Sequence, residues 1–125
     1  MNLNQVTIPS LDVEISIAFY EKLGLKLIVR SLPKYARFEC PDGDSTFSVH
    51  KVDELPKGHG ITLYFENEDL DKTVEILKEK GLAFQELPND KPWLWREAHL
   101  FDPDGNHIIL FYAGKNRKNP PWRIQ

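Results

Sequence analysis

The run Trp93-Leu94-Trp95-Arg96-Glu97-Ala98-His99 sets a carboxylate and an imidazole two residues apart on a segment that reads as a strand, so both point to one face. Glu97 is the candidate general base, because burial raises a carboxyl pKa towards neutrality, where it accepts protons efficiently. Its structural alternative is an ion pair with Arg96 or Arg37 that ties strands together, worth little if exposed. His50 closes another strand-like run, Thr46–His50. Two imidazoles and a carboxylate are the donor set of a non-haem iron triad or a catalytic zinc. A strand histidine also serves simply as a satisfied polar group. His59, in a glycine-rich loop, and His107, beside a turn, read as solvent-facing or rim residues.

Aromatic and basic groups suggest what such a site would hold. Trp93, Trp95, Tyr64 and Phe111 offer flat apolar walls suited to a planar or drug-like molecule. Arg37 and Arg96 could clamp a carboxylate in bidentate fashion. Phe19, Phe38, Phe65 and Phe101 read as core. The lone cysteine, Cys40, reads as a small apolar strand residue rather than a reactive thiol.

These residues sit on a repeat. Asp12 to Gly24 and Asp69 to Gly81 have the same spacing, and Pro41-Asp42-Gly43-Asp44 is answered by Pro103-Asp104-Gly105-Asn106. Val6-Thr7-Ile8 reads as a strand stopped by Pro9, and Ser10 or Asp12 then caps a helix. Ile15, Ala18, Phe19 and Leu23 form its apolar stripe, and Gly24 ends it. Strands are expected at Leu25–Val29, Tyr35–Cys40 and Ser45–Val49. In the second copy a strand at Ile61–Phe65 precedes a helix whose stripe is Leu70, Thr73, Val74 and Leu77. Strands at Leu82–Glu86, Trp95–Leu100 and His107–Tyr112 follow, with Pro88–Pro92 as a loop. The order is βαβββ twice, an α+β chain. The modules run over about 1–53 and 60–113, with a linker at 54–59 and a basic tail at 114–125 that reads as solvated, the alternative being that Trp122, costly to expose, docks on something.

Composition narrows the classes. A 125-residue chain makes one domain of two fused modules. A net charge of −3 argues against nucleic acid as partner. One cysteine fits a reducing cytoplasm, and neither a signal peptide nor a membrane-spanning run is expected.

Asp12-…-Ser16-Ile17-Ala18-Phe19-Tyr20-…-Leu23-Gly24-Leu25, Tyr64-Phe65-Glu66-…-Asp69-Leu70-Asp71 and Asp102-Pro103-Asp104-Gly105-Asn106 together resemble the glyoxalase, bleomycin-resistance and ring-cleaving dioxygenase superfamily, the vicinal oxygen chelate proteins. The resemblance implies two tandem βαβββ modules forming a cupped mixed sheet with helices outside. It implies a divalent metal (zinc, nickel, manganese or iron) in the enzymes, and none in proteins that only sequester a drug. Gln5 falls where the first strand usually supplies a ligand. The usual second-module ligand falls near Gly60, and the usual last-strand Glu is Ile109. By family register Trp95, Glu97 and His99 face the cup, as do Thr46, Ser48 and His50. Gln5, His50 and His99 are then the candidate metal set, with Glu97 as catalytic base. Two readings stay open: a metal-assisted lyase, isomerase or dioxygenase acting on a small oxygenated molecule, and a non-catalytic binder of a drug or metabolite. A regulatory domain with a vestigial cup is a third. The family also implies a homodimer and a small-molecule ligand.

Overall fold

The computed structural model describes residues 1–124, so Gln125 of the tail lies outside the described residues. The chain divides into two compact units. Unit 1 comprises residues 1–61 together with Asp102–Gly105, and unit 2 the remainder.

Unit 1 holds β1 (Gln5–Ser10), α1 (Val13–Leu23), β2 (Lys26–Ser31), β3 (Tyr35–Glu39) and β4 (Thr46–Lys51). Its sheet runs β1-β4-β3-β2, with β1 parallel to β4 and the other pairs antiparallel. Pro9 does not stop β1, as its sequence suggests, but lies inside it. The strand is an edge, so a residue without an N–H interrupts no ladder on its outer side. Asp12 caps α1 by accepting from the Ile15 N–H at 3.3 Å. Gly24 closes it in the left-handed conformation (φ 113°) that favours glycine.

The buried face of α1 is not the expected stripe. Val13, Ser16, Ile17 and Tyr20 point inward, whereas Ala18 is exposed and Ile15 is 54% exposed. The inward set has i, i+3, i+4, i+7 spacing, equally helical, but includes two polar groups, and both have partners. The Tyr20 hydroxyl donates to Asp102 Oδ2 at 2.5 Å, and Ser16 donates to Asp104 Oδ2 at 3.1 Å. The Leu11 N–H supplies Asp104 Oδ1 at 2.9 Å, and Ser10 and Ser16 share a 2.7 Å hydrogen bond. The Tyr20 ring packs against Phe47 (4.6 Å) and Phe38 (5.9 Å), the centre of the unit 1 core. Burial, then the Asp102 carboxylate beside it, push the Tyr20 phenol far above its ordinary range, so it stays a donor.

Unit 2 repeats the order with β5 (Thr62–Glu66), α2 (Leu70–Glu79), β6 (Glu86–Asp90), β7 (Arg96–Phe101) and β8 (His107–Tyr112), followed by a short 3-10 turn at Gly114–Asn116. Its sheet runs β5-β8-β7-β6, with β5 parallel to β8. Here the expected stripe holds, since Leu70, Val74 and Leu77 are buried and Thr73 half-buried. The strand expected over Leu82–Glu86 starts instead at Glu86 and takes in Pro88, which was assigned to a loop. β6 is also an edge and carries an irregularity between Glu86 and Asn89, which accommodates the proline. Phe101 is not core; it is 46% exposed. Glu66 anchors the start of the tail, accepting from the N–H groups of Ala113 (2.9 Å) and Gly114 (3.0 Å) and pairing with Arg117 at 3.5 Å. Trp122, by contrast, is 59% exposed. Among the described residues no helix is long and apolar enough to cross a membrane.

Tyr20→Phe removes one buried donor from Asp102 while keeping the ring, and should cost about 1–3 kcal/mol in urea unfolding. An unchanged midpoint would mean that the packing of the ring, rather than its hydroxyl, holds α1. Truncation after Gly114 should lower stability by roughly 1–2 kcal/mol, because it strips Arg117 from Glu66 and the Asn116 carbonyl from Trp95. Truncation after Arg117 should leave the melting temperature unchanged; equal losses from the two truncations would show that the distal tail is docked.

Candidate functional site

In unit 2, residues alternate strictly between two faces of the sheet. Leu63, Ala98, Leu100, Ile108 and Leu110 are buried, with the parity that faces α2 and its Leu70, Val74 and Leu77. Tyr64, Glu97, His99, Phe101, His107, Ile109 and Phe111 carry the opposite parity. Within that second set, Trp95 stacks on Phe111 at 4.5 Å and 14°, and Tyr64 meets both rings edge-on at 6.0 and 5.9 Å. Ile109, Phe111 and Ala113 form a small apolar cluster with Trp95 against it. The Trp95 indole N–H donates to the Asn116 carbonyl at 3.4 Å, so the tail holds the ring in place. Tyr64 stays 54% exposed, and the aromatic group therefore keeps one open side.

A continuous hydrogen-bonded chain adjoins the rings. Trp93 Nε1–H donates to Glu97 Oε2 at 2.6 Å, and His99 Nε2 meets Glu97 Oε1 at 2.8 Å. His99 Nδ1 meets His107 Nε2 at 2.9 Å, and Phe101 stacks on the His107 ring at 5.0 Å. Glu97 is 3% exposed, and two N–H donors on its two oxygens offset the cost of burying it. In the tautomer where His99 Nε2–H donates to Glu97, His99 Nδ1 accepts from His107 Nε2–H, and the His107 lone pair lies on Nδ1. Burial first, then the neighbouring His99, lower the His107 pKa, so this imidazole is neutral at pH 7. The sequence suggests His107 as a rim residue, beside a turn and on the same side of the strand as Phe111. Alternation from Phe111 gives its face correctly, and only the β7–β8 register, with Phe101 opposite His107 and Ile109 opposite His99, brings the two imidazoles together.

Trp93, Trp95, Tyr64, Phe111, Glu97 and His99 thus gather in unit 2. Arg96 does not join them. Its parity on β7 is opposite to that of Glu97, and it forms a two-point pair with Asp71 on α2 (2.8 and 2.9 Å) and a bond to Asp90 at 3.0 Å. Glu97 therefore has Trp93 and His99 as partners, not Arg96. Glu86, also beside His99 at 3.9 Å, is held below its usual range chiefly by Lys91.

Unit 1 carries the other candidates. Gln5 donates to Ser48 Oγ at 3.1 Å and accepts from Thr46. Thr7 and Ser48 share a 2.6 Å bond, with Ser48 fully buried. Phe47 and Val49 are buried in the core, and Thr46, Ser48 and His50 have the other parity, as expected. His50 is exposed and lies opposite Tyr35. Arg37 Nε donates to the Tyr35 hydroxyl at 2.8 Å.

These residues do not fit the metal of the resembled family. The position of its last-strand Glu is Ile109, buried in an apolar cluster. The Gln5 amide is spent on Ser48 and Thr46, and both His99 nitrogens are spent on Glu97 and His107. Gln5 lies opposite Thr46, and His50 is four residues further along β4, about 13 Å at the usual strand rise. Among the described residues, no three His, Cys, Asp or Glu side chains gather as a metal-binding group. Gln5, His50 and His99, the metal set that the resemblance implies, are thus each placed with the partners given above.

The arrangement has relatives. A glyoxalase/bleomycin resistance protein/dioxygenase from Nocardioides superposes with a TM-score of 0.80 at 24% identity, covering 100% of this chain and 90% of that one. The bleomycin resistance determinant encoded on transposon Tn5 gives 0.75 at 20% identity, covering 90% and 98%. Lactoylglutathione lyase from Agrobacterium tumefaciens gives 0.73 at 16% identity, covering 90% and 93%. At these identities the likeness is one of fold. The uncharacterized protein YraH of Bacillus subtilis is 30% identical over 127 residues, spanning 89% of this chain and 98% of its own. Residues 2–110 match the model of one family, and with its tandem βαβββ units the chain belongs to the Glyoxalase/Bleomycin resistance protein/Dioxygenase superfamily.

Proposed function

We propose that this protein binds a small planar aromatic or oxygenated molecule against Tyr64, Trp95 and Phe111 without using a metal. The observation that carries this reading is the half-open aromatic group itself, next to a buried carboxylate that fixes the Trp93 indole. Rigid rings with few rotamers bind at low entropic cost, and one convergent polar group gives orientation. Among proteins of the same fold, the Tn5 member is a bleomycin resistance determinant. The ligand here is sequestered, with the Glu97 end of the site meeting its polar edge. In a Trp122→Phe background, tryptophan fluorescence should be quenched saturably by at least one member of a panel of catechols, naphthols and anthraquinones. Trp95→Ala should weaken that binding about tenfold or more. Protein purified without chelators should hold well under one equivalent of zinc, nickel, manganese or iron. A stoichiometric metal lost in His99→Ala, or quenching indifferent to Trp95→Ala, would overturn the reading.

The chain Glu97–His99–His107 supports a second reading, a metal-free lyase or isomerase in which His107 Nδ1 takes a proton from the bound molecule. His99 then passes charge towards Glu97, which stabilises the imidazolium that forms. This requires His107 to be neutral in the folded protein. Its folded pKa lies below the unfolded value of about 6.5, so the unfolded chain binds more protons below that pH. The associated stability is complete above about pH 6.5 and is lost as pH falls through the depressed folded value. His107→Gln should therefore flatten the fall in melting temperature between about pH 7 and pH 5. Equal slopes for the variant and the parent would remove His107 as a candidate base.

A further inference from the structure

We propose that Tyr35 and Arg37 form an anion-binding site on the face of the unit 1 sheet opposite α1, fitted to a small carboxylate or phosphate. On β3 these two residues alternate with Ala36 and Phe38, both fully buried, and Phe38 packs on Tyr20 of α1. Tyr35 and Arg37 therefore share the other face with Gln5, Thr7, Thr46 and Ser48.

The argument turns on what Arg37 lacks. Arg30 pairs with Glu14, Arg96 with Asp71 and Asp90, and Arg117 with Glu66. Among the described residues no carboxylate lies within ion-pair distance of Arg37, although it is half-buried in mid-strand. Glu39, two residues along on the same face, makes no pair with it, and His50 opposite Tyr35 adds no negative charge. Arg37 is also not free to wander. Nε is fixed on the Tyr35 hydroxyl at 2.8 Å and Cζ lies 5.5 Å from the Tyr35 ring centre, which leaves the two Nη groups as the unused prongs of a planar fork. Such a fork matches the two oxygens of a carboxylate or phosphate.

The surroundings are rich in donors. Burial pushes the Tyr35 phenol up, but the nearby Ser48 hydroxyl, the Arg37 N–H bonded to it and the nearby Gln5 amide outweigh it and hold the group below its ordinary value. Gln5 and Thr7 in turn fix the fully buried Ser48. Donors gathered round a guanidinium with no counter-ion favour negative charge from outside the chain. This site lies wholly within unit 1 and does not depend on the aromatic reading of unit 2.

The test uses sodium benzoate and inorganic phosphate, each against sodium chloride at matched ionic strength, with melting temperature and calorimetric titration as readouts. At least one anion should bind saturably to the parent protein and raise the Tyr35 phenol pKa, followed as the ultraviolet difference from Tyr35→Phe. Arg37→Gln should weaken binding about tenfold or more, and Arg37→Lys, which keeps charge but loses the fork, should fall between. Preference for benzoate assigns a carboxylate ligand, and preference for phosphate a phosphoryl one. Should Arg37→Gln fail to fold, Arg37→Lys and Tyr35→Phe carry the comparison. No stabilisation beyond the chloride control, or equal binding in parent and variants, would overturn the proposal.

Discussion

Two aspartates in the turn between β7 and β8 require donors, and the unit 1 core is arranged around supplying them. Asp102 takes the Tyr20 hydroxyl and the Asp104 N–H, while Asp104 takes Ser16 and the Leu11 N–H. Burying carboxylates without such partners would cost several kcal/mol, on the order of what stabilises a whole small domain. The donors fix the rotation of α1, because Ser16 and Tyr20 can face the turn only if Ile15 and Ala18 face outward. The Tyr20 ring then lies between Phe38 and Phe47, and the same side chain satisfies an acid at its tip and fills the core with its body.

The two repeats diverge here. With an offset of 57 positions, Ser16 corresponds to Thr73 and Tyr20 to Leu77. Leu77 lacks the phenol that Tyr20 supplies in α1, while Thr73 keeps a hydroxyl where α1 has Ser16. The turn of the first repeat, Pro41-Asp42-Gly43-Asp44, is exposed, whereas Asp102 and Asn106 of the second are buried. The polar chemistry diverges as well. Unit 1 carries hydroxyls, an amide and a guanidinium on the sheet face away from its helix, and unit 2 carries rings, imidazoles and a buried carboxylate there.

The sequence made the architecture legible because the repeat, the turn glycines and strand alternation are local signals. Among the described residues eight strands and two α-helices stand in the expected order, and Glu97 and His99, assigned a face by the family register, and Phe111, assigned by alternation, share one parity of their sheet. What it misjudged depended on distant partners. The α1 stripe was misread because Ser16 and Tyr20 look less buried than Ile15 and Phe19 unless Asp102 and Asp104 are known to meet them. Pro9 and Pro88 looked like strand breaks, since edge position is a property of the sheet and not of the segment. The sequence suggests Arg96 as a ligand clamp because its partner Asp71 lies on another element, α2. Alternation gives the face of His107, but only the β7–β8 register shows that it meets His99.

Register also explains why a carboxylate can be buried on β7 with no arginine to neutralise it. Neighbouring β7 residues alternate, so Arg96 must point towards α2 and is satisfied there. Glu97 is left to collect the Trp93 indole N–H and the His99 imidazole as its partners. The family's last-strand Glu position, Ile109, lies opposite His99 and adds only packing. The acid of this face stands instead at Glu97 on β7, where its neighbours are the Trp93 indole and the His99 imidazole.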